Sequence, residues 1–500
     1  MLETGKVTLI GAGPSGLDLL TLRGFNALQQ ADVVVFDRLV EQDILDSIPE
    51  TAEKINVGKQ NNHHPVPQEQ INQILVHKAK ECKNVVRLKG GDCFLFGRGG
   101  EECEYLAENN IPFEVVSGVT SAIAAPAYAG IPVTHRDFCS SVHIITAHAK
   151  AGKKLEIDFE SLVKLKGTLV FLMGLSSIND VMQGLINAGM KKDMPAAVIE
   201  NGTRLTQRKI IANISNISEK VKDLNFKSPS IIVVGEVCTL SNSLDWFSKQ
   251  PLYGQTVVVT RPKERIGTLS EKLRRLGANV IECPCIQTIN EIDTDKLNIA
   301  LQRQYDYIVL TSPAGVYAMV EALEKINKDL RVFYNCKFAV IGSGTAKELK
   351  KYGITADLMP EIYDSEHLGK LLADRLDSNS SVLILRAKEG SNELTKALKE
   401  KNINFLDIST YRTEYCCDKS KMLIELIKNN SVNTITFTSV STVIGFVESV
   451  KLDKYNNFTA LCIGKQTAKK AEFYGMKTKI AKNATINSMV AALLEENHHV

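Results

Sequence analysis

The sequence predicts an α/β protein built in more than one part, with mainly parallel sheets, and three observations lead there. Short apolar runs at 7–10 (VTLI), 33–36 (VVVF), 169–172 (LVFL) and 231–234 (IIVV) alternate with segments of helical period such as 70–80. That is the pattern of strands buried on both faces and separated by helices. The chain has 500 residues, whereas a single core stops growing at roughly 250 to 300, so two or three domains are expected. The second half also repeats itself, which implies two similar α/β lobes there.

The bulk composition narrows the function classes. A hydrophobic content of 44% with 23% charged residues is that of a globular chain, and no apolar stretch approaches the roughly 20 residues of a membrane helix. No membrane association is expected. The opening segment runs straight into a strand-like run with no basic region and no cleavable apolar stretch, so the cytoplasm is the expected location. Sixty basic and 57 acidic residues leave a net charge of +3, which provides no basic field for nucleic acid and requires anionic ligands to be met locally. Among the 11 cysteines, Cys416-Cys417 and Cys283-x-Cys285 are close, but neither pair has a zinc spacing, so reduced, mostly buried thiols and no metal are expected. The adjacent His63 and His64 have no partners at ligand spacing and read as surface residues.

The first strand series ends near residue 250, where 244–254 reads as a short linker, and a second series starts at Thr256. The expected domains are 1–247 and 253–500. Within the second, the strand ending in Arg261 matches the one ending in Arg386, 307–312 (YIVLTS) matches 435–439 (ITFTS), and 341–347 matches 463–469. Both of the last pair are followed by Tyr-Gly, at 352–353 and 474–475. A cleft between two such lobes is the natural place for a ligand, and lobes on short connections can hinge.

Two glycine clusters mark the first half. Gly11-Ala12-Gly13-Pro14-Ser15-Gly16 follows a strand, and Asp37 closes the next one. Alone, this fits equally well a purely structural strand-turn-helix and a dinucleotide fingerprint, in which glycines admit a pyrophosphate and the acid holds a ribose hydroxyl. A nicotinamide-dependent oxidoreductase is therefore one reading. The second cluster, at 87–102 (RLKGGDCFLFGRGGEE), holds five glycines and three basic residues. Its backbone can approach a flat ligand, and its arginines offer forked donors to carboxylates.

With this cluster the chain resembles the uroporphyrinogen-III C-methyltransferases of the tetrapyrrole methylase family. The resemblance runs over about the first 245 residues and includes 18–24 (DLLTLRG), 37–40 (DRLV), 57–59 (VGK), 117–121 (SGVTS), 130–136 (GIPVTHR), 173–175 (MGL) and 200–203 (ENGT). It implies a two-lobed methylase fold and methylation of uroporphyrinogen III at C2 and C7 to precorrin-2, with S-adenosylmethionine as methyl donor. Pro14, Gly90, Gly91, Asp92, Leu95, Thr120, Ser121, Met173 and Gly202 fall where the family contacts that donor. Asp37 and Lys59 match proton acceptor and donor positions, and Arg87 and Arg98 look like carboxylate clamps or orienting groups for the macrocycle. The family is usually dimeric, which makes a homodimer through this half the expectation. Two departures stand out: Ser15-Gly16-Leu17 replaces Gly-Asp-Pro, removing an acid, and Cys93 replaces a proline.

Residues from about 254 to 500 resemble uroporphyrinogen-III synthase, whose two lobes take hydroxymethylbilane between them. The resemblance implies cofactor-free ring closure with inversion of ring D. In that family the first strand-helix unit joins the C-terminal lobe, so 254–285 is expected with 412–500, and 286–411 in the other lobe. Thr311, Ser312, Thr345, Arg386, Thr438, Ser439 and Thr467 match substrate-contacting signals, and Tyr411 matches the tyrosine favoured as an acid for loss of the bilane hydroxyl. Helix-start hydroxyls and amides suit carboxylates, although capping alone also explains serine and threonine there. The alternative reading of this half is a non-catalytic two-lobed binding module.

Overall fold

The structure, a computed structural model, describes residues 4–58, 66–81, 83–147, 156–416 and 420–497. The chain divides into two compact units, 1–254 and 255–500. The segment expected to be a linker is folded onto the first unit. Phe247 and Leu252 are buried, Tyr128 meets Trp246 and Phe247 edge to face, Trp246 donates to the Ala127 carbonyl (3.1 Å), and Lys209 pairs with Asp245 (2.9 Å). Large rings bury too much area to stay in solvent when a groove is at hand.

The first unit carries two five-stranded sheets. β1 (Val7–Gly11), β2 (Val33–Phe36), β3 (Glu53–Asn56), β4 (Val85–Lys89) and β5 (Phe113–Val116) form one, ordered β3-β2-β4-β1-β5 and parallel throughout. Its strands read as unbroken apolar runs because both faces are covered. Val33 and Val35 enter one core and Val34 the other. β6 (Val142–Thr146), β7 (Thr168–Leu172), β8 (Pro195–Glu200), β9 (Arg208–Asn213) and β10 (Ser230–Val234) form the second, ordered β6-β7-β10-β8-β9. Here only β6 and β7 run parallel, and β10 is antiparallel to both its neighbours. The expectation of mainly parallel pairing fails for this sheet because an apolar run reports burial on two faces and carries no information on direction.

The second unit also has two sheets. β11 (Thr256–Val259) and β12 (Asn279–Glu282) precede β13 (Ile286–Asn290), β14 (Tyr307–Leu310), β15 (Lys337–Val340), β16 (Ser381–Ala387) and β17 (Asn404–Tyr415), and β18 (Thr434–Phe437), β19 (Thr459–Cys462) and β20 (Lys477–Ile480) close the chain. The sheets are ordered β12-β11-β18-β19-β20 and β13-β17-β16-β14-β15. β17 runs through the break expected after 411, because β13 pairs antiparallel with it up to Tyr415.

The internal repeat is a repeat of backbone geometry. Ser312 and Ser439 cap the helices after β14 and β18 in the same extended conformation, Gly342 and Gly464 do so after β15 and β19, and Gly353 and Gly475 follow those last helices at φ +81° and +80°. Only glycine takes that conformation without strain.

Candidate active sites

In the parallel sheet of the first unit, the connections leaving β1 and β4 run in opposite directions, and ligands of open α/β sheets bind above the carboxyl ends of strands at such a point. Three loops converge there, after β1, β4 and β5. Ala12 N–H donates to the Lys89 carbonyl (2.7 Å), and Gly13 and Gly91 exchange backbone hydrogen bonds (3.1 and 2.7 Å). The approach is close enough to require glycine. A Cβ on Gly11 would stand 2.5 Å from Gly118 N, and one on Gly118 would stand 2.2 Å from the Gly91 oxygen. Gly91 itself faces open space, with no atom within 4 Å of where its Cβ would be.

The side chains expected at a donor site tie these loops together. Asp92 accepts from Phe94 N–H (2.8 Å) and Leu95 N–H (3.1 Å) through one oxygen and from Gly118 N–H (3.0 Å) through the other. Thr120 caps the helix Ser121–Tyr128, its hydroxyl accepting from Ala122 N–H. Leu95 packs on the core of the β6–β10 sheet. Met173 follows β7 at φ +55° with half its surface exposed, and Gly202 follows β8 against Ala125, whose Cβ would lie 2.2 Å from an added methyl. Pro14 lies in the first loop, half-buried. Although Gly16 lacks the family's acid, the loop keeps a carboxylate. Asp43 Oδ2 accepts from Leu17 N–H (3.0 Å) and lies 2.3 Å from where a Cβ of residue 16 would stand. Cys93 is fully buried, and burial pushes its thiol up to about 12.

The charged residues behave differently from one another. Asp37 directly follows β2 and accepts from Leu39 N–H (2.9 Å). Arg98 is exposed and held by Glu101 (Nε to Oε1, 3.0 Å). Of the two roles expected for Arg87, carboxylate clamp or orienting group, its burial disfavours the first: it is 3% exposed, with Nε on Glu102 (3.1 Å) and Nη1 on the Val35 and Leu88 carbonyls. A guanidinium so committed orients its neighbours, and among the described residues only its contact with Asp37 (3.8 Å) points toward the loops. Glu102 and Lys89, buried beside it, were not singled out from sequence; the one signal was their place in the second glycine cluster. Lys59, His63 and His64 lie outside the described residues.

In the second unit, a cavity of about 230 Å³ is lined by Glu291, Asp293, Lys296, Lys388, Asp407, Ile408, Ser409 and Tyr411. The Tyr411 hydroxyl meets the Ser312 hydroxyl (2.8 Å), which also accepts from Gly315 N–H (3.0 Å). Thr311 adjoins Ser312, half-buried. Ser439 forms a capping box with Thr442, with Thr438 just before it. Thr345 and Thr467 sit inside the first helical turns, 2% and 4% exposed, so their hydroxyls are not displayed by a loop as expected. Arg386 is buried too, forked onto Asp407 (3.0 and 2.6 Å). Lys296 at the cavity was missed because nothing in local spacing distinguishes a lysine at a mouth from one on any surface. Among the described residues, no group of three or more His, Cys, Asp or Glu side chains is placed to hold a metal ion, and no helix is long and apolar enough to cross a membrane.

Residues 6–218 match the model of the tetrapyrrole (corrin/porphyrin) methylases, and 267–491 match that of uroporphyrinogen-III synthase HemD. The porphyrin biosynthesis protein HemD of Ruminiclostridium josui is 51% identical over 496 residues, 99% of this chain and 98% of that one. The chain belongs to this family of tetrapyrrole methylases fused to uroporphyrinogen-III synthases. It is a bifunctional enzyme of tetrapyrrole biosynthesis. The methylase half is also 51% identical over 244 residues to siroheme synthase of Escherichia fergusonii, covering 49% of this chain and 52% of that one. A solved structure of uroporphyrin-III C-methyl transferase from Thermus thermophilus, complexed with S-adenyl homocysteine, is 33% identical over 47% of this chain and 100% of its own, at a TM-score of 0.41. The methylase match takes in Gly11 to Gly16, so that cluster belongs to the methylase half and not to a nicotinamide enzyme.

Proposed function

We propose that the methylase half transfers methyl groups from S-adenosylmethionine to C2 and C7 of uroporphyrinogen III, giving precorrin-2, and that the synthase half supplies this substrate by closing hydroxymethylbilane with inversion of ring D. The observation that carries the first assignment is the convergence of three glycine loops above the carboxyl ends of β1, β4 and β5, with open space at Gly91. Such a cradle fits a donor held mostly by backbone groups. Pro14, Gly90, Gly91, Asp92, Leu95, Thr120, Ser121, Met173 and Gly202 would hold it, and the chemistry it supplies is a methyl group on a sulfonium that departs as a neutral thioether.

The chain's own part is alignment and proton handling. Holding two reactants in line accounts for about 7 to 11 kcal/mol of barrier in favourable cases. Asp37, with Lys59, accepts and returns the proton that moves as the macrocycle tautomerises, a contribution of about two to four decades. Arg98, exposed at the head of the helix Gly99–Glu108, meets a macrocycle carboxylate.

In the synthase half, Tyr411 gives a proton to the departing bilane hydroxyl. Ser312 keeps the phenol oriented, because the helix amide of Gly315 already occupies an acceptor site of the serine oxygen. Lys296 and Lys388 attract bilane carboxylates to the cavity. The fusion raises the local concentration of an unstable intermediate between the two activities. The protein acts in the cytoplasm and pairs as a homodimer through its methylase half.

Incubation of the purified protein with hydroxymethylbilane, anaerobically, with and without S-adenosylmethionine, tests both halves. Isomer III without the donor and a dimethylated product with it are expected. Isomer I alone, with added uroporphyrinogen III still methylated, would remove the synthase assignment.

A further inference from the structure

Glu102 has no exposed surface, and its two carboxylate oxygens are used unequally. Oε1 accepts from Lys89 Nζ (2.9 Å), Gln68 Nε2 (3.0 Å) and Arg87 Nε (3.1 Å), while Oε2 is buried with no hydrogen-bond partner among the described residues. A buried acceptor left unmade costs stability, and a buried ion network is often no better for the fold than apolar packing. A role confined to holding the fold does not account for it.

Position and charge do. Lys89 ends β4, and Glu102 lies on the helix Gly99–Glu108, so their ion pair closes the base of the glycine loop between them. Arg87 and Lys89 together carry one more charge than Glu102 neutralises. Among the described residues, the carboxylate that balances it is Asp37, 3.8 Å from Arg87 Nη2. Burial, then the neighbouring Arg87, hold the Lys89 ammonium below the usual lysine range.

We propose that Glu102 is a positioning residue for methyl transfer: through Lys89 it fixes the loop that carries Gly90, Gly91 and Asp92, and through Arg87 it sets the orientation of the Asp37 carboxylate. This rests on the methylase function proposed above. E102Q keeps the shape and leaves two cations facing Asp37 alone. K89M removes one cation, and E102Q/K89M removes both partners, so that Arg87 and Asp37 again balance each other.

The test is kcat and KM of the full chain for methylation of uroporphyrinogen III, with ring closure by the synthase half as the control for intact protein. E102Q is expected to lower kcat about tenfold or more while changing either KM less than about threefold. The double variant is expected to be no slower than E102Q, since residues of one network couple. Losses that multiply in the double variant, or E102Q within about twofold of wild type, would overturn the proposal. If E102Q fails to fold, E102D, which keeps the charge and shortens the reach, is expected to lower kcat alone, and an unchanged kcat in both E102D and K89M is the contrary result. Wild-type protein that methylates nothing sinks the functional reading itself, whereas active wild type with indifferent variants sinks only the role of Glu102.

Discussion

Gly118→Ala places one methyl group where the three loops meet. Its carbon would stand 2.2 Å from the Gly91 oxygen, 2.6 Å from Gly11 Cα and 2.7 Å from Gly11 C. All three are backbone atoms, so no side chain can swing aside. The loops must open by about 1.2 Å, from 2.2 Å to the 3.4 Å at which ordinary contact begins. Gly118 is not among the residues of positive φ, so the effect reports the close approach and not backbone preference. Overpacking of this kind costs roughly 1 to 3 kcal/mol, and misplacing reacting groups by about 1 Å costs about a hundredfold in rate. Methylation of uroporphyrinogen III should therefore fall about a hundredfold while isomer III formation in the separate second unit is unchanged. Gly100→Ala is the matched control, because nothing lies within 4 Å of its added carbon. Both activities should survive it. A G118A protein that methylates within threefold or so of wild type, with an unchanged melting temperature, would refute the idea that loop convergence sets the geometry for transfer.

Ser312→Ala removes one hydroxyl partner of Tyr411 and a helix cap; it should lower stability by about 1 kcal/mol and slow isomer III formation, as Tyr411→Phe should, and unchanged synthase rates in both would dismiss the tyrosine. Arg386→Ala removes a buried guanidinium that donates to Asp407, and because Asp407 keeps access to solvent it should lower the urea midpoint of the second unit by the equivalent of about 1.5 kcal/mol; a loss of activity at unchanged stability would instead restore Arg386 as a substrate contact. Burial pushes the thiols of Cys93, Cys238 and Cys462 up to about 12 from an ordinary 9.0. Because the folded state holds these protons more tightly, the stability they contribute is complete below about pH 9 and is lost as pH rises through about 12. Thermal unfolding followed from about pH 8 to 10 should show the decline, and alkylation of any of the three in native protein near pH 8 would contradict their burial.

Much of the fold was legible because its signals are local. The runs at 7–10 and 33–36 are strands whose alternate residues enter two cores, and the repeat in the second half became two sets of caps with matching backbone angles. Gly11, Gly13, Gly97 and Gly99 were legible for the same reason, since an added Cβ at each would meet backbone atoms. Strand direction in the sheet of β6 to β10 was not, because burial does not encode it. Nor was the fate of 244–254, whose aromatic residues fold onto Tyr128 and Ala127 far away in the chain.

The sequence alone determined the α/β class, the repeat in the second half, and the two glycine clusters with the family they resemble, all properties of residues close together in the chain. Only the tertiary structure decided which charged side chains are available. Arg87 read from sequence as a carboxylate clamp or orienting group and Arg386 as a substrate contact, and both are buried against partners 15 and 21 positions away, Glu102 and Asp407. Tyr411 gained a hydroxyl partner 99 positions away. Electrostatic roles depend on distance and desolvation, and both are set only when remote segments pack together.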